Sequence, residues 1–423
     1  MGEKKTYKTL FVLEPSRAAR KRDLQRDDVA WATLDLRDSV VDTLLTLDGA
    51  KGFFFLEWAE DATRPTPLPG HTRVRIHELL VTALRWQETC RFEISLCPWS
   101  DFVEIALGEQ RGLEKICQTF DLVFGGADLM LDLSDPVYKL QGKANAYLDS
   151  LRWLAGHICV WPPPNEVIAA SRKYEVIRDL DFIARTVTRS CRPQTRLLGQ
   201  CTPLNRDPRY VFKREGSDTS NHREWGTDVS ASRCRKMAAD PGQYRWMCQD
   251  IVPYLRDLGE IRVYIIGGTY HSFIVTAWNE AEGGWDTESS GRLASLEHMS
   301  RMAGAGHRTN DVFFCNVPSA VEEELGLRQL KTFVYDTYKA LCRVEGRRLN
   351  ASSLSLHQIA RLDIGVMRGT TGRLDYFVNE VERGSLVSLF LGSDRDRGMD
   401  IISAWGRAME AHLDLCQTSL PGQ

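Results

Sequence analysis

Two pairs of charged residues late in the chain have the types and spacing needed to handle a phosphate group and a metal ion. Arg361 and Asp363 stand two apart at the start of one apolar segment, and Glu380 and Glu382 stand two apart at the end of the next. Side chains alternate along a strand, so each pair is predicted to lie on one face of a sheet. Carboxylates side by side on a sheet repel each other unless a cation lies between them. We therefore expect Asp363, Glu380 and Glu382 to bind Mg²⁺, or Mn²⁺ in its place, and Arg361 to stabilise a transferring phosphoryl group. The alternative is an exposed sheet edge with solvated charges.

A lysine at the end of another apolar segment suggests a binding site for a polyphosphate. Lys213 follows Tyr210-Val211-Phe212, and a polar loop that includes Ser217 comes next. The ammonium group would neutralise charge, while loop N–H groups and hydroxyls would surround the phosphate oxygens. The loop is not a Walker A motif, because Gly-x-x-x-x-Gly-Lys-Ser/Thr is absent. A solvated surface lysine is the alternative.

A third set of residues has the character of an adenine and ribose site. An adenine needs an apolar slot and a backbone segment that offers one donor and one acceptor, and the candidate segment consists of Gln249, Asp250, Ile251 and Val252. Glu260 would accept the ribose hydroxyls. Arg262 is predicted on the same strand face as Glu260 and is a candidate to bind a substrate carboxylate or phosphate. A surface ion pair at the start of a strand is the alternative.

The first 160 residues alternate between short apolar runs and amphipathic stretches, which favours an α/β layer with a parallel sheet. The strand candidates are residues 9–13, 52–56, 102–107 and 121–124, and residues 77–86 have helical spacing. Three successive prolines at 162–164 can neither continue a helix nor occupy a central strand, so we place a domain boundary there. Asn165 is predicted to cap a helix that begins at Glu166 and ends near Arg189.

The remainder of the chain is predicted to contain strands of a different style. Ile261–Ile266 and His271–Ala277 flank Gly267-Gly268, which indicates a hairpin. Residues 278–311 are polar and are predicted to form a long loop or insertion. A helix from Pro318 to Leu341, strands at 360–367 and 374–381, and a final helix at 399–415 complete the prediction.

Composition limits the class of protein. The chain has 423 residues, 43% of them hydrophobic, and a formal net charge of -3, so nothing in the overall charge points to a nucleic-acid partner. The 11 cysteines are dispersed and odd in number, without a Cys-x-x-Cys pair, which favours free thiols in a reducing compartment and a cytoplasmic location. No stretch has the character of a membrane span.

Taken in order, these elements resemble the ATP-grasp superfamily. The resemblance covers residues 161–390 and includes the helix with Lys173, the Pro193-Gln194-Thr195 element, and the strand lysine Lys213 with its polar loop. Its more specific parts are the Gly-Glu-Ile-Arg-Val strand and the ordered pair formed by Arg361-x-Asp363 and Asn379-Glu380-x-Glu382.

The resemblance implies a fold, an activity and a set of partners. The fold would be an N-terminal α/β domain (residues 1–160) followed by a two-lobed α+β ATP-grasp domain (161–423), with lobes at about 161–260 and 261–423. The activity would be an ATP-dependent ligase that joins a small-molecule carboxylate to an amine through an acyl phosphate. Two alternatives stay open: a kinase that phosphorylates a small molecule, and a nucleotide-binding regulatory protein without turnover. The oligomeric state is not predicted.

The family pattern also assigns roles to individual residues. Lys213, and more loosely Lys173, would contact the ATP phosphates, and Asp363 and Glu380 would bind Mg²⁺. Such ligases usually have an asparagine at the position of Glu382. The polar loop has one glycine, Gly216, where relatives often have several.

Overall fold

A computed structural model describes most of the chain. The described residues are 5–13, 31–56, 66–127, 133, 138, 140–200, 204–216, 223–240, 244–279, 284–288, 292–306, 312–313, 319–383, 391 and 394–419. They fall into two compact units, one made of the residues before Ile168 together with those after Arg383, and the other running from Ile168 to Arg383.

The first unit contains seven of the strands and begins with the predicted α/β arrangement. The strands are β1 (Tyr7–Leu13), β2 (Trp31–Arg37), β3 (Phe54–Leu56), β4 (His71–His77), β5 (Phe92–Pro98), β6 (Leu122–Gly125) and β7 (Cys159–Trp161). The helices before residue 172 are α1 (Asp38–Thr46), α2 (Glu78–Thr89), α3 (Trp99–Leu107), α4 (Gln110–Thr119), α5 (Ala144–Ala155) and α6 (Pro164–Ser171). A parallel sheet of order β5-β1-β6-β7 confirms the predicted parallel layer, and β2-β4-β3 form a separate antiparallel sheet.

One predicted strand of this unit is wrong, because residues 102–107 belong to helix α3. The buried side chains there are Trp99, Phe102 and Ala106, which stand three and four apart and so share one face of a helix. The predicted strand covers only six residues and leaves out the first turn of α3. A run this short does not distinguish the period of a helix from the period of a strand.

The second unit contains two antiparallel sheets. Its strands are β8 (Thr195–Leu197), β9 (Tyr210–Arg214), β10 (Arg223–Trp225), β11 (Trp246–Asp250), β12 (Glu260–Ile266), β13 (Thr269–Asn279), β14 (Gly284–Glu288), β15 (Ile359–Arg368) and β16 (Leu374–Glu382). Its helices are α7 (Lys173–Ile183), α8 (Ala231–Ala238), α9 (Pro253–Asp257), α10 (Leu296–Gly304) and α11 (Ala320–Leu349). The smaller sheet has the order β10-β9-β11-β8 and the larger has the order β14-β13-β12-β15-β16. The mixed α/β and α+β fold class is therefore confirmed.

The larger sheet buries one face and leaves the other for polar side chains. Alternate residues of β15, from Ala360 to Val366, enter a core that also includes Leu330, Val334 and Leu341 of α11. The intervening residues of β15 must then point to the opposite face. This alternation is what places Arg361 and Asp363 together.

Three predicted elements of the second unit differ from the structure. The helix expected from Glu166 onward is two helices, α6 and α7, and it starts earlier, at Pro164, where a proline fits the first turn. Residues 278–311 are not a long loop, because the edge strand β14 and helix α10 lie within them. Helix α11 continues beyond Leu341 to Leu349 and ends at Asn350, whose left-handed backbone (φ 49°) stops it.

The C-terminal helix α12 (Arg395–Ser419) belongs to the first unit, although the sequence assigned it to the second domain. Trp405 of α12 packs against the rings of Trp86, Phe124 and Trp161, and the indole N–H of Trp86 donates to the carbonyl of Ile402 at 2.9 Å. The order of the elements along the sequence does not show that the last of these helices packs in the first unit. Among the described helices, none combines the length and apolar character that a bilayer span requires.

Candidate functional site

The polar face of the larger sheet gathers residues from β12, β15 and β16. Across the ladder Asp363 faces Arg262 on one side and Glu380 on the other, and Arg361 faces Glu382. A bulge between Asp363 and Ile364 leaves Asn379 of β16 as the extra residue. These pairings bring five of the predicted site residues to one place.

The bulge decides which face the glutamates occupy. Tyr376 and Val378 lie in the core, so strict alternation would send residues 380 and 382 into the core as well. The extra residue shifts the alternation by one, so that Val381 is buried in the core and the two glutamates reach the polar face. The sequence predicted that the two glutamates share a face, but the bulge that selects this face was missed.

Asp363, Glu380 and Glu382 form a cluster with the character of a metal site. One oxygen from each carboxylate lies within 4.8 Å of the other two. Three carboxylate oxygens at this separation suit Mg²⁺, which prefers a few carboxylates together with water and phosphate oxygens. The three residues predicted as metal ligands are thus brought together by the fold.

The two glutamates of the cluster have opposite proton affinities. Burial would raise the pKa of Glu380, but the ammonium groups of Lys173 and Lys213 outweigh it and lower that pKa to about 2. Burial and the negative charge of Glu380 raise the pKa of Glu382 to about 8. A cation bound between the two glutamates would offset their mutual repulsion and favour the ionised form of Glu382.

Asp363 is the most enclosed member of the cluster and is held by two arginines. Arg361 donates to it through Nε at 2.7 Å and Nη2 at 2.8 Å, and Arg262 Nη1 approaches it at 3.2 Å. Burial opposes the charge on Arg361, but Asp363 raises the pKa of Arg361 well above its ordinary value. Arg361 is therefore a fixed, buried positive charge beside the carboxylates.

Arg262 and Glu260 lie within this same charged group. Arg262 donates through Nε to Thr276 at 2.7 Å, and its Nη2 lies 3.4 Å from Glu260. Asn379, the bulge residue, donates to Glu260 at 2.6 Å. Burial, Asp363 and Glu380 raise the pKa of Glu260. Glu260 was predicted for the ribose, yet these contacts connect it to the carboxylate cluster, and Arg262 is engaged by neighbouring side chains.

Two lysines approach the cluster from separate elements. Lys173, at the first residue of α7, forms an ion pair with Glu380. Lys213, on β9, interacts with the charges of Glu380 and Lys173, and burial together with Lys173 lowers its pKa. Two cations around one strongly acidic glutamate make a place where further negative groups, such as phosphates, are stabilised. Ser217, predicted for the same phosphate site, lies outside the described residues.

Sequence reasoning missed one basic residue next to these lysines. Arg223 of β10 pairs in register with Lys213 of β9, its charge interacts with that of Glu260, and its guanidinium lies 5.1 Å from the ring centroid of Trp225. The sequence did contain a signal for Arg223. A residue on the strand that follows a strand lysine in a hairpin can lie beside that lysine.

The proposed adenine segment consists of the last two residues of β11, a strand of the smaller sheet, and the two residues that follow it. The side chain of Gln249 is buried, and the N–H groups of Asp250 and Ile251 already donate to the carbonyls of Gln194 and Arg209, at 2.9 Å and 2.8 Å. The carbonyl of Val252 accepts from Leu255 at 3.0 Å. The N–H of Val252 makes no backbone hydrogen bond among the described residues, which leaves it as the candidate donor to a base.

Comparison with known proteins finds distant structural likenesses. The chain is similar to a D-cycloserine synthetase, DcsG (13% identity, 78% of this chain and 93% of that chain covered, TM-score 0.45). It is also similar to the ATP-grasp ligase PsnB, complexed with a minimal precursor (13% identity, 79% and 95% covered, TM-score 0.42). A third likeness is to the D-alanine–D-alanine ligase of Bacillus anthracis complexed with ATP (14% identity, 78% and 94% covered, TM-score 0.43).

No family model matches the chain, and no curated protein matches its sequence. ATP-grasp ligases stand among the solved structures that it resembles.

Proposed function

We propose that this chain is an ATP-dependent ligase of the ATP-grasp kind, which activates a carboxylate as an acyl phosphate and joins it to an amine. The observation that supports this most strongly is the meeting of the carboxylates Asp363, Glu380 and Glu382 with Lys173 and Lys213 on one polar sheet face. A group of this composition handles a metal ion and a polyphosphate together.

Each residue has a role that follows from its surroundings. Glu380 and Glu382 would hold Mg²⁺, with Asp363 as a third ligand, and the ion would neutralise phosphate charge when bound. Lys173 and Lys213 would bind ATP phosphate oxygens, and the N–H of Val252 would donate to adenine. Arg361 cannot turn away, since Asp363 holds it through two hydrogen bonds, so its charge is already oriented before a substrate arrives.

This reaction requires the protein to position the substrates and to stabilise charge, and it requires no covalent nucleophile from the protein. A carboxylate oxygen of the substrate attacks the γ-phosphorus of ATP, the bond to ADP breaks, and the resulting acyl phosphate is attacked by the amine. The acyl carbon then loses inorganic phosphate, and the amine gives up a proton. The basic residues stabilise the negative charge that moves between phosphate and carboxylate oxygens.

The test is a screen for ADP release with Mg²⁺, ATP and pairs of small carboxylates and amino acids. The proposal expects one equivalent each of ADP and free phosphate per amide formed, and no turnover in the presence of EDTA. Phosphate retained on the product would replace the ligase with a kinase. Binding of ATP without ADP formation from any pair would favour a regulatory protein.

A further inference from the structure

Glu215 carries a buried carboxylate that the site described above does not use. Its side chain is 1% exposed. Oε1 accepts from the backbone N–H of Tyr174 at 3.1 Å and from Arg245 Nη2 at 3.0 Å. Oε2 accepts from the backbone N–H of Arg245 at 3.1 Å and from its Nε at 2.9 Å. Four donors thus converge on one carboxylate, which satisfies a charge that would otherwise be costly to bury.

These contacts join three elements that are separate in the sequence. Glu215 directly follows β9, Tyr174 is the second residue of α7, and Arg245 directly precedes β11. The N–H of Gly216 also donates to the carbonyl of Ser171 at 2.9 Å, just before α7. The end of β9 is therefore fastened to the beginning of α7 on both sides of Arg172.

Arg245 extends the same connection along the first turn of α7. Its Nη2 approaches Glu175 at 3.1 Å, and its guanidinium lies 5.5 Å from the ring centroid of Tyr174. A purely apolar contact would hold these elements without fixing their direction, whereas paired hydrogen bonds to a planar guanidinium set both distance and angle.

The fastened elements are the ones that carry the two lysines. Lys213 lies two residues before Glu215 on β9, and Lys173 is the neighbour of Tyr174 at the start of α7. Both ammonium groups act on Glu380. We propose that Glu215 and Arg245 are positioning residues that hold Lys173 at a set distance from Lys213, so that the pair fits the terminal phosphates of ATP. This rests on the proposed nucleotide site.

The experiment measures the affinity for ATP and for AMP, each with Mg²⁺, by calorimetry. AMP lacks the terminal phosphates and so reports on the rest of the site. Glu215→Gln should raise the Kd for ATP roughly tenfold, since a displaced charge-assisted contact is worth about that factor, and leave the Kd for AMP within about twofold of the unchanged chain. Glu175→Gln, which removes only the outer contact of Arg245, is the matched control and should change neither value.

A double-mutant cycle with Lys173→Met separates positioning from general structural support. If Glu215 acts through Lys173, adding Glu215→Gln to Lys173→Met should weaken ATP binding no further. Additive losses, equal losses for ATP and AMP, or an unchanged ATP affinity would each overturn the inference. If Glu215→Gln loses cooperative unfolding, Arg245→Met makes the same test, because the backbone donors to Glu215 remain. Failure of the unchanged chain to bind ATP would instead reject the proposed function.

Discussion

At the residue scale, Glu380 is the side chain on which the site depends most. It is the member of the carboxylate cluster that both lysines act on, and its pKa of about 2 keeps it ionised across the whole physiological range. Its charge is thus available to a cation at any working pH.

Replacing Glu380 with glutamine should abolish turnover while the protein stays folded. The amide keeps the size of the side chain but removes the charge that faces Lys173 and Lys213, and loss of an interaction with the transferring phosphate and its metal lowers rates by about 10² or more. ADP release under saturating ATP measures the effect, and thermal unfolding verifies the fold. Asp375→Asn, at the other end of β16, is the matched control and should keep full activity. Retention of most activity in Glu380→Gln would remove this residue from the site.

The period of a strand explains which part of this site could be predicted from the sequence. A period of two placed Arg361 with Asp363 and Glu380 with Glu382, because alternation needs no tertiary information. The contact of Asn379 with Glu260 depends on a bulge, and a bulge is set by the partner strand rather than by local pattern. The contact of Glu260 with the cluster could not be inferred for the same reason.

At the element scale, helix α11 approaches its neighbours closely at one glycine. A Cβ at Gly326 would overlap the backbone carbonyl oxygens of Leu293 and Ala294. The helix can pack there only because that position has no side chain.

Gly326→Ala should therefore destabilise the protein although alanine is the better helix former. Overpacking against backbone atoms that cannot rotate away typically costs about 1–3 kcal/mol, and the gain in helix propensity offsets about 1 kcal/mol of this at most. Urea unfolding measures the difference. Gly304→Ala is the matched control, because its added carbon would meet only Arg368 Nη2, at 3.8 Å. Equal stability of the Gly326→Ala protein would mean that α11 has room to move.

A buried histidine at the start of α2 should make the first unit sensitive to mild acid. His77 accepts from the N–H of Leu79 at 3.3 Å and lies against the rings of Trp31 and Phe53. Burial lowers its pKa from 6.5 to about 4, so the unfolded chain binds a proton that the folded chain does not between these values. Stability should fall as the pH drops from 6.5 toward 4, by about 3 kcal/mol at most from this residue.

The pH sensitivity is tested by comparing denaturant unfolding of the original protein and of His77→Gln from pH 7 to pH 4. The variant should lose less stability over this range. Such a difference cannot come from the carboxylates, which both proteins share. His157→Gln, at an exposed position in the turn after α5, should follow the original protein. Parallel pH curves for all three proteins would contradict the expectation.

The elements themselves were predictable where the pattern was long. Strands β12, β13, β15 and β16 of the larger sheet combine length with a clear period, and each was found within a few residues. Helix α11 was found within one or two turns. Helix α3 was missed because the apolar run at 102–107 contains fewer than two helical turns. Strand β14 was missed because it is an edge strand without an apolar run. Edge strands owe their pairing to a neighbour rather than to their own composition.

At the scale of the whole molecule, the first unit depends on a helix that the chain supplies last. Trp405 of α12 is fully buried among Trp86, Phe124 and Trp161, and Arg91 lies between Glu410 and Asp414 of the same helix. The core of the first unit therefore includes residues from both ends of the described chain.

Trp405→Ala should destabilise the first unit and leave the second largely unaffected. Truncation of a buried tryptophan removes about 3–5 kcal/mol, and its contacts lie within the first unit. Hydrogen exchange with mass spectrometry resolves the two units: peptides from β1, α2 and β6 should lose protection, while peptides from β12, β15 and β16 keep it. Trp153→Ala, at a partly exposed position of α5, is the control. Equal loss in both units would show that they unfold as one.

The return of α12 to the first unit also sets an order of events during synthesis. A ribosome makes the chain from its N-terminus, so every residue of the second unit is made before Trp405. The second unit therefore has all of its residues before the first unit does, and β1, β5, β6 and β7 keep one side of their aromatic cluster uncovered until α12 has been made. In this protein the unit that is translated first is completed last.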